Sequence, residues 1–137
     1  EVPEYQALRR ELEGVSGHIN GLHSAPDWTP LRYVNRNFPH EVLTGFYRLA
    51  QVGLVTPLRD GMNLVAKEYV ASQDGEDPGV LILSQFAGAA AELTQALIVN
   101  PHETEGVAAA LKRALDMPTL VSKADHKSVA AMLPYNK

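Results

Sequence analysis

The sequence predicts an α/β fold: a Rossmann-like parallel sheet of about four strands flanked by helices. Two observations carry this. Four short, continuous apolar runs, at Leu31–Val34, Val52–Val55, Val80–Leu83 and Leu97–Val99, are rich in valine, leucine and isoleucine, as strands buried on both faces are. The intervals between them are long enough for crossover connections, and each holds a helical pattern.

The helical stretches are Glu4–Glu13, Pro39–Ala50, Leu64–Gln73, Gly88–Leu93 and Glu103–Leu115. In the last, Val107, Leu111, Ala114 and Leu115 form one stripe while Lys112 and Arg113 point away. Pro39 suits a first turn, and Asn63 suits the N-cap of the third helix. The segment from Asp74 to Gly79 is acidic and broken by glycine and proline, so it reads as a surface loop. The expected organisation is a helical and then irregular lead-in over 1–30, with glycines at 14, 17 and 21, a Rossmann-like domain over 31–118, and a shortened tail over 119–137. Both ends read as unfinished, so the chain is expected to be part of something larger.

Composition excludes several functions. The chain has 137 residues, 45% hydrophobic and 20% charged, enough for one core and without the signature of disorder. Its net charge is -4 and its 12 basic residues are scattered, which argues against nucleic acid and against a membrane patch. No apolar run approaches the ~18 residues of a membrane span, and no signal-peptide layout is present. The absence of cysteine removes disulfides and thiolate chemistry. The five histidines show no helical ligand spacing, so no metal site is expected. The expectation is a soluble, cytoplasmic domain.

The chemistry lies in Val52–Glu68, a strand, an Asp60-Gly61 turn and a helix. Ligands of open α/β sheets bind outside the carboxyl ends of strands, where this turn falls. Amides of Met62, Asn63 and Leu64 at a helix start suit a diphosphate, since unpaired N–H groups and the helix dipole both favour negative charge. Gly61 lacks the Cβ that would hold a ligand off the backbone. Asp60 is placed to accept from sugar hydroxyls, and Glu68, one turn past Leu64, to take the hydroxyls of a ribose. The bland alternative stays open: Asp-Gly turns are common, and a glutamate in an early helical turn is often a dipole partner. No dinucleotide fingerprint or P-loop is present. Ser84 has no nucleophile elbow around it and reads as a strand-ending hydroxyl, and Trp28 reads as a packing residue.

Read as text, the stretches Asp27–Arg36, Val52–Val70, Pro78–Ala90 and Ala96–Pro101 closely resemble the trehalose-6-phosphate synthases. These are retaining glycosyltransferases with two facing Rossmann-like domains. The likeness covers about residues 5–118, and Asp60–Glu68 is its most specific part. It implies transfer of glucose from UDP-glucose to glucose 6-phosphate, with UDP-glucose a substrate and no cofactor. It further implies that this chain is part of the C-terminal, donor-binding domain. Asp60 would bind glucose hydroxyls with help from the Met62 and Asn63 backbone, Gly61 being part of the same donor site; Leu64 and Val65 would present amides to the diphosphate; Glu68 would hold the ribose. Asn37 and Phe38 match the place where the family grips uracil. No catalytic residue is assigned to the chain.

In the family, an N-terminal domain brings most of the acceptor site, and the cations that clamp the diphosphate precede this segment. The chain alone is therefore expected to be inactive and to self-associate through apolar surface. His18 stands where the family commonly has arginine, and past Met117 the likeness fades, with His126 a possible match. The alternatives are a non-catalytic nucleotide-sugar-binding or docking module, and the same domain of a glucosylglycerol-phosphate synthase-like enzyme.

Overall fold

A computed structural model describes residues 2–117. The chain divides into two compact units, Glu1–Asn37 and Phe38–Lys137. The tail over 119–137, with His126, lies outside the described residues.

The first unit is a helix and a returning strap. Helix α1 spans Pro3–His23, opened by a proline in its first turn. It runs well beyond the expected Glu13, through Gly14, Gly17 and Gly21, none of which has a neighbour within 4 Å of the place a Cβ would take. Each glycine weakens a helix by about 1 kcal/mol relative to alanine, too little to break one whose other residues favour it. Behind α1, Ala25 and Trp28 exchange backbone bonds of 2.9 and 3.1 Å. Trp28, expected to pack, is 57% exposed.

Leu31–Val34 is not a strand, so the sheet has three strands among the described residues and not about four. The side-chain amide of Asn20 takes both backbone groups of Leu31: its Nδ2 donates to the carbonyl and its Oδ1 accepts from the N–H, each at 3.0 Å. That pairing imitates one rung of a ladder and leaves an extended strap where the apolar run suggested a strand.

The second unit holds the sheet. Strands β1 (Val52–Val55), β2 (Val80–Ser84) and β3 (Leu97–Val99) are all parallel in the order β1-β2-β3, with Val52 opposite Val80 and Ile82 opposite Leu97. Helices α2 (His40–Leu49), α3 (Leu64–Ala71) and α4 (Thr104–Asp116) and a 3-10 turn at Gly88–Ala91 complete it. The central strand is buried throughout, which is why it reads as an unbroken apolar run. Its residues alternate between two cores. Leu81 and Leu83 pack with Ala66, Tyr69 and Val70 of α3 and with Ala87, Ala89 and Leu93. Val80 and Ile82 pack with Val99 and with Ala114 of α4. The flanking strands leave Leu54 and Ile98 exposed.

Tyr69 fixes the rear of α3. Its hydroxyl donates to the Ala50 carbonyl at 2.9 Å, and its ring lies edge-on to Tyr47 of α2. Only glycine fits beneath it: a Cβ on Gly53 would stand 2.9 Å from the ring, and one on Gly79 would stand 2.5 Å from the Ala50 oxygen. Gln73 adds a clasp. Its side-chain nitrogen, Nε2, donates to the Tyr47 and Tyr69 carbonyls at 2.7 and 3.0 Å, while its Oε1 accepts from the Gly79 N–H at 2.8 Å.

Candidate functional site

The turn between β1 and α3 lies at the carboxyl end of the sheet and is organised by one carboxylate. Asp60 Oδ1 accepts from the Met62 and Asn63 amides, both at 3.0 Å, and Oδ2 accepts from Asn63 Nδ2 at 3.0 Å. These bonds hold the Asp60 carboxyl below its ordinary value of 3.8; the Met62 amide has the largest effect, partial desolvation opposes it, and Asn63 adds through its side chain and amide. The Met62 and Asn63 amides, expected to be free for a ligand, are therefore engaged within the protein. A carboxylate offers about four acceptor positions. Three are taken, so Asp60 keeps about one for a ligand.

Asn63 is the N-cap. Its Oδ1 accepts from the Ala66 amide at 2.9 Å, and its backbone is left-handed, with φ 69° and ψ 86°. It is the only non-glycine residue with positive φ among those described, a conformation asparagine tolerates better than most. With both ends of its side-chain amide occupied, Asn63 shapes the turn and has little left to offer a ligand. The helix therefore opens at Leu64. The amides of Leu64 and Val65 have no protein acceptor among the described residues, and both residues are exposed. Gly61 also faces open space, with no atom within 4 Å of its absent Cβ.

Glu68 stands one turn along α3 from Leu64, half-buried, on the face toward Tyr47. The Tyr47 hydroxyl is pushed above its ordinary value, by burial first and by the Glu68 charge second. Asp60, Gly61, Met62, Asn63, Leu64, Val65 and Glu68 thus form one continuous turn-and-helix surface. Asn37 closes the first unit with an exposed side chain. Phe38 opens the second, its ring edge-on to Phe46 of α2 at 5.4 Å.

Ser84 is fully buried, and its Oγ accepts from the Phe86 amide at 3.1 Å, the strand-ending role its setting suggested. Sequence reasoning missed the partner of the turn. The segment after β2 runs beside it, with Asp60 N–H donating to the Phe86 carbonyl (3.2 Å), Gly88 N–H to Asp60 (2.9 Å) and Ala89 N–H to Met62 (2.7 Å). Lys67 of α3 also pairs with Glu92 at 2.8 Å. The small residues Gly88–Ala91 permit a close approach, but their letters do not say to what.

An exposed helix start with two available amides, an open glycine and a carboxylate with one unused position suits a phosphorylated sugar. Among the described residues no helix is long and apolar enough to cross a membrane, and no three His, Asp or Glu side chains are grouped to hold a metal. Comparison with known proteins points the same way. Residues 1–135 match the family described as Glycosyltransferase family 20. The trehalose-6-phosphate synthase of Sinorhizobium fredii is 61% identical over 118 residues, which are 86% of this chain and 25% of that protein. A crystal structure of an alpha,alpha-trehalose-phosphate synthase (UDP-forming) from Burkholderia xenovorans, in complex with glucose-6-phosphate, superimposes with a TM-score of 0.95 at 54% identity, covering 100% of this chain and 30% of that one. An E. coli structure described as trehalose-6-phosphate bound with UDP-2-fluoro glucose gives a TM-score of 0.92 at 55% identity, covering 95% of this chain and 29% of that one. The chain therefore spans under a third of the length of these relatives.

Proposed function

The chain belongs to glycosyltransferase family 20, and from that premise we propose that it forms the donor side of a trehalose-6-phosphate synthase. The reaction is transfer of glucose from UDP-glucose to glucose 6-phosphate with retention at the anomeric carbon. The observation that carries this reading is the start of α3, where the Leu64 and Val65 amides have no protein acceptor beside the open Gly61.

In this reading the diphosphate lies over Leu64 and Val65, a glucose hydroxyl takes the remaining position on Asp60, and Glu68 accepts from the ribose. Asn37 and Phe38 serve the uracil. Met62 and Asn63 contribute the shape of the turn, their amides being held by Asp60. The bond from the anomeric carbon to the diphosphate breaks, a bond to the acceptor oxygen forms on the same face, and the acceptor's proton passes to the departing phosphate. The helix amides stabilise the charge that grows on the diphosphate, so the chain's contribution is positioning and electrostatics. The glucose 6-phosphate site belongs mainly to an N-terminal domain as partner, and the cations that clamp the diphosphate belong to the first segment of the C-terminal domain.

Calorimetric titration of the chain with UDP, UDP-glucose and ADP-glucose tests the reading. Saturable binding that prefers uridine is expected. Glu68→Ala should weaken UDP itself, and Asp60→Ala should weaken UDP-glucose. A folded chain with no uridine preference, or a Glu68→Ala variant with unchanged UDP affinity, would overturn the donor assignment.

A further inference from the structure

The donor turn is held from outside as well as by Asp60. Its Asp60 and Met62 carbonyls both accept from the segment after β2, through the amides of Gly88 and Ala89. With those carbonyls turned toward the neighbouring segment, the amides of Leu64 and Val65 stay open to a ligand. We propose that residues 86–89 are the positioning element of the donor turn, and that Gly88 sets donor affinity without contacting the donor. This rests on the donor reading above.

Three observations support it. A Cβ on Gly88 would lie 2.0 Å from the Gly61 oxygen, 2.7 Å from its carbonyl carbon and 3.2 Å from Met62 Cα. All three are backbone atoms, so no side chain can rotate away and the turn itself must move, by roughly 1 Å to relieve the shortest contact, a displacement on the scale that disrupts a positioned site. The segment cannot yield in its place, because Ala87 and Ala89 are buried in the core with Ala66 and Leu93. The residue displaced is Gly61, over which the donor lies, and the 2.7 Å bond from Ala89 to Met62 would be strained with it.

The test compares UDP-glucose titrations of the unaltered chain, Gly88→Ala, and Gly75→Ala as a control whose Cβ meets nothing within 4 Å. Gly88→Ala should weaken binding by about tenfold or more, a loss of at least one step of 1.4 kcal/mol, while Gly75→Ala should match the parent. Amide hydrogen exchange supplies a readout that needs no ligand. In the parent, the Asn63, Gly88 and Ala89 amides should open together with one common protection. In Gly88→Ala, Asn63 should lose protection while Leu81 and Ile82 keep theirs. If the parent binds no donor, the donor reading fails and exchange alone decides the positioning role. If Gly88→Ala does not fold, common opening in the parent decides it. Independent opening of the two segments, or a Gly88→Ala chain with parental affinity and Asn63 protection, overturns the proposal.

Discussion

The two ends of α3 are secured by opposite means. At its rear, Tyr69 is 2% exposed, wedged over two glycines and tied to Ala50. At its front, Leu64 and Val65 are exposed, and order comes from hydrogen bonds among Asp60, Met62, Asn63 and the segment at 86–89. Packing holds the end that only has to stay put. Directional bonds hold the end that, in the donor reading, presents amides at fixed angles, where apolar packing would cover the ligand.

The sharpest way to break this contrast is Tyr69→Ala. Truncating a buried aromatic costs about 3–5 kcal/mol, and denaturant unfolding should show a loss of that size. A loss near that of a surface substitution would mean the rear of α3 is not packed as described.

The two ends should also fail at opposite extremes of pH. Burial pushes the Tyr69 hydroxyl from 10.0 up to about 12, with the nearby Gly53 backbone opposing. The unfolded chain gives up this proton first, so the stabilisation is complete below pH 10 and declines as pH rises through about 12. The two-unit shift corresponds to about 3 kcal/mol. Asp60 has the reverse sign: its depressed carboxyl stabilises fully above pH 3.8, and that contribution is lost as pH falls through the lower folded value. Stability measured against pH should therefore show a shallower alkaline decline in Tyr69→Phe, the part due to the raised Tyr47 hydroxyl remaining, and keep its acid decline. A Tyr69→Phe profile that falls above pH 10 as steeply as the parent's would assign the alkaline arm elsewhere.

The smallest expected effect is at the cap. Asn63→Ala removes the bonds to Asp60 Oδ2 and to the Ala66 amide, and loss of such a cap costs about 0.5–2 kcal/mol. The same change should reduce UDP-glucose affinity by more than it reduces stability. Equal losses in both would reduce Asn63 to an ordinary cap.

Much of this was legible in the sequence. The bounds of β1 and β3 coincide with their apolar runs, β2 extends one residue further to Ser84, and Asn63 caps α3 as its position suggested. Each reading depends on local pattern, which the chain carries with it. What failed depends on distant partners. Leu31–Val34 has the composition of a strand but is met by a side-chain amide 11 residues away. The glycines of α1 look like breakers only when taken singly. The letters of the Asp60-Gly61 turn fit equally a carboxylate aimed at a ligand and one folded back on its own amides. The structure shows the second arrangement with one acceptor position to spare, and no spacing rule separates the two.

The clasp made by Gln73 has a consequence for how this chain can vary. One side chain joins α2 and α3 to Gly79, the residue before β2, and closes the base of the acidic segment between them. The entry to β2 is therefore tied directly to the end of α3, across the loop. Residues such as Gly75 and Asp77, exposed at its tip, are a place where chain length can drift or a foreign segment can enter while the Asp60 turn at the other end of the sheet stays in place.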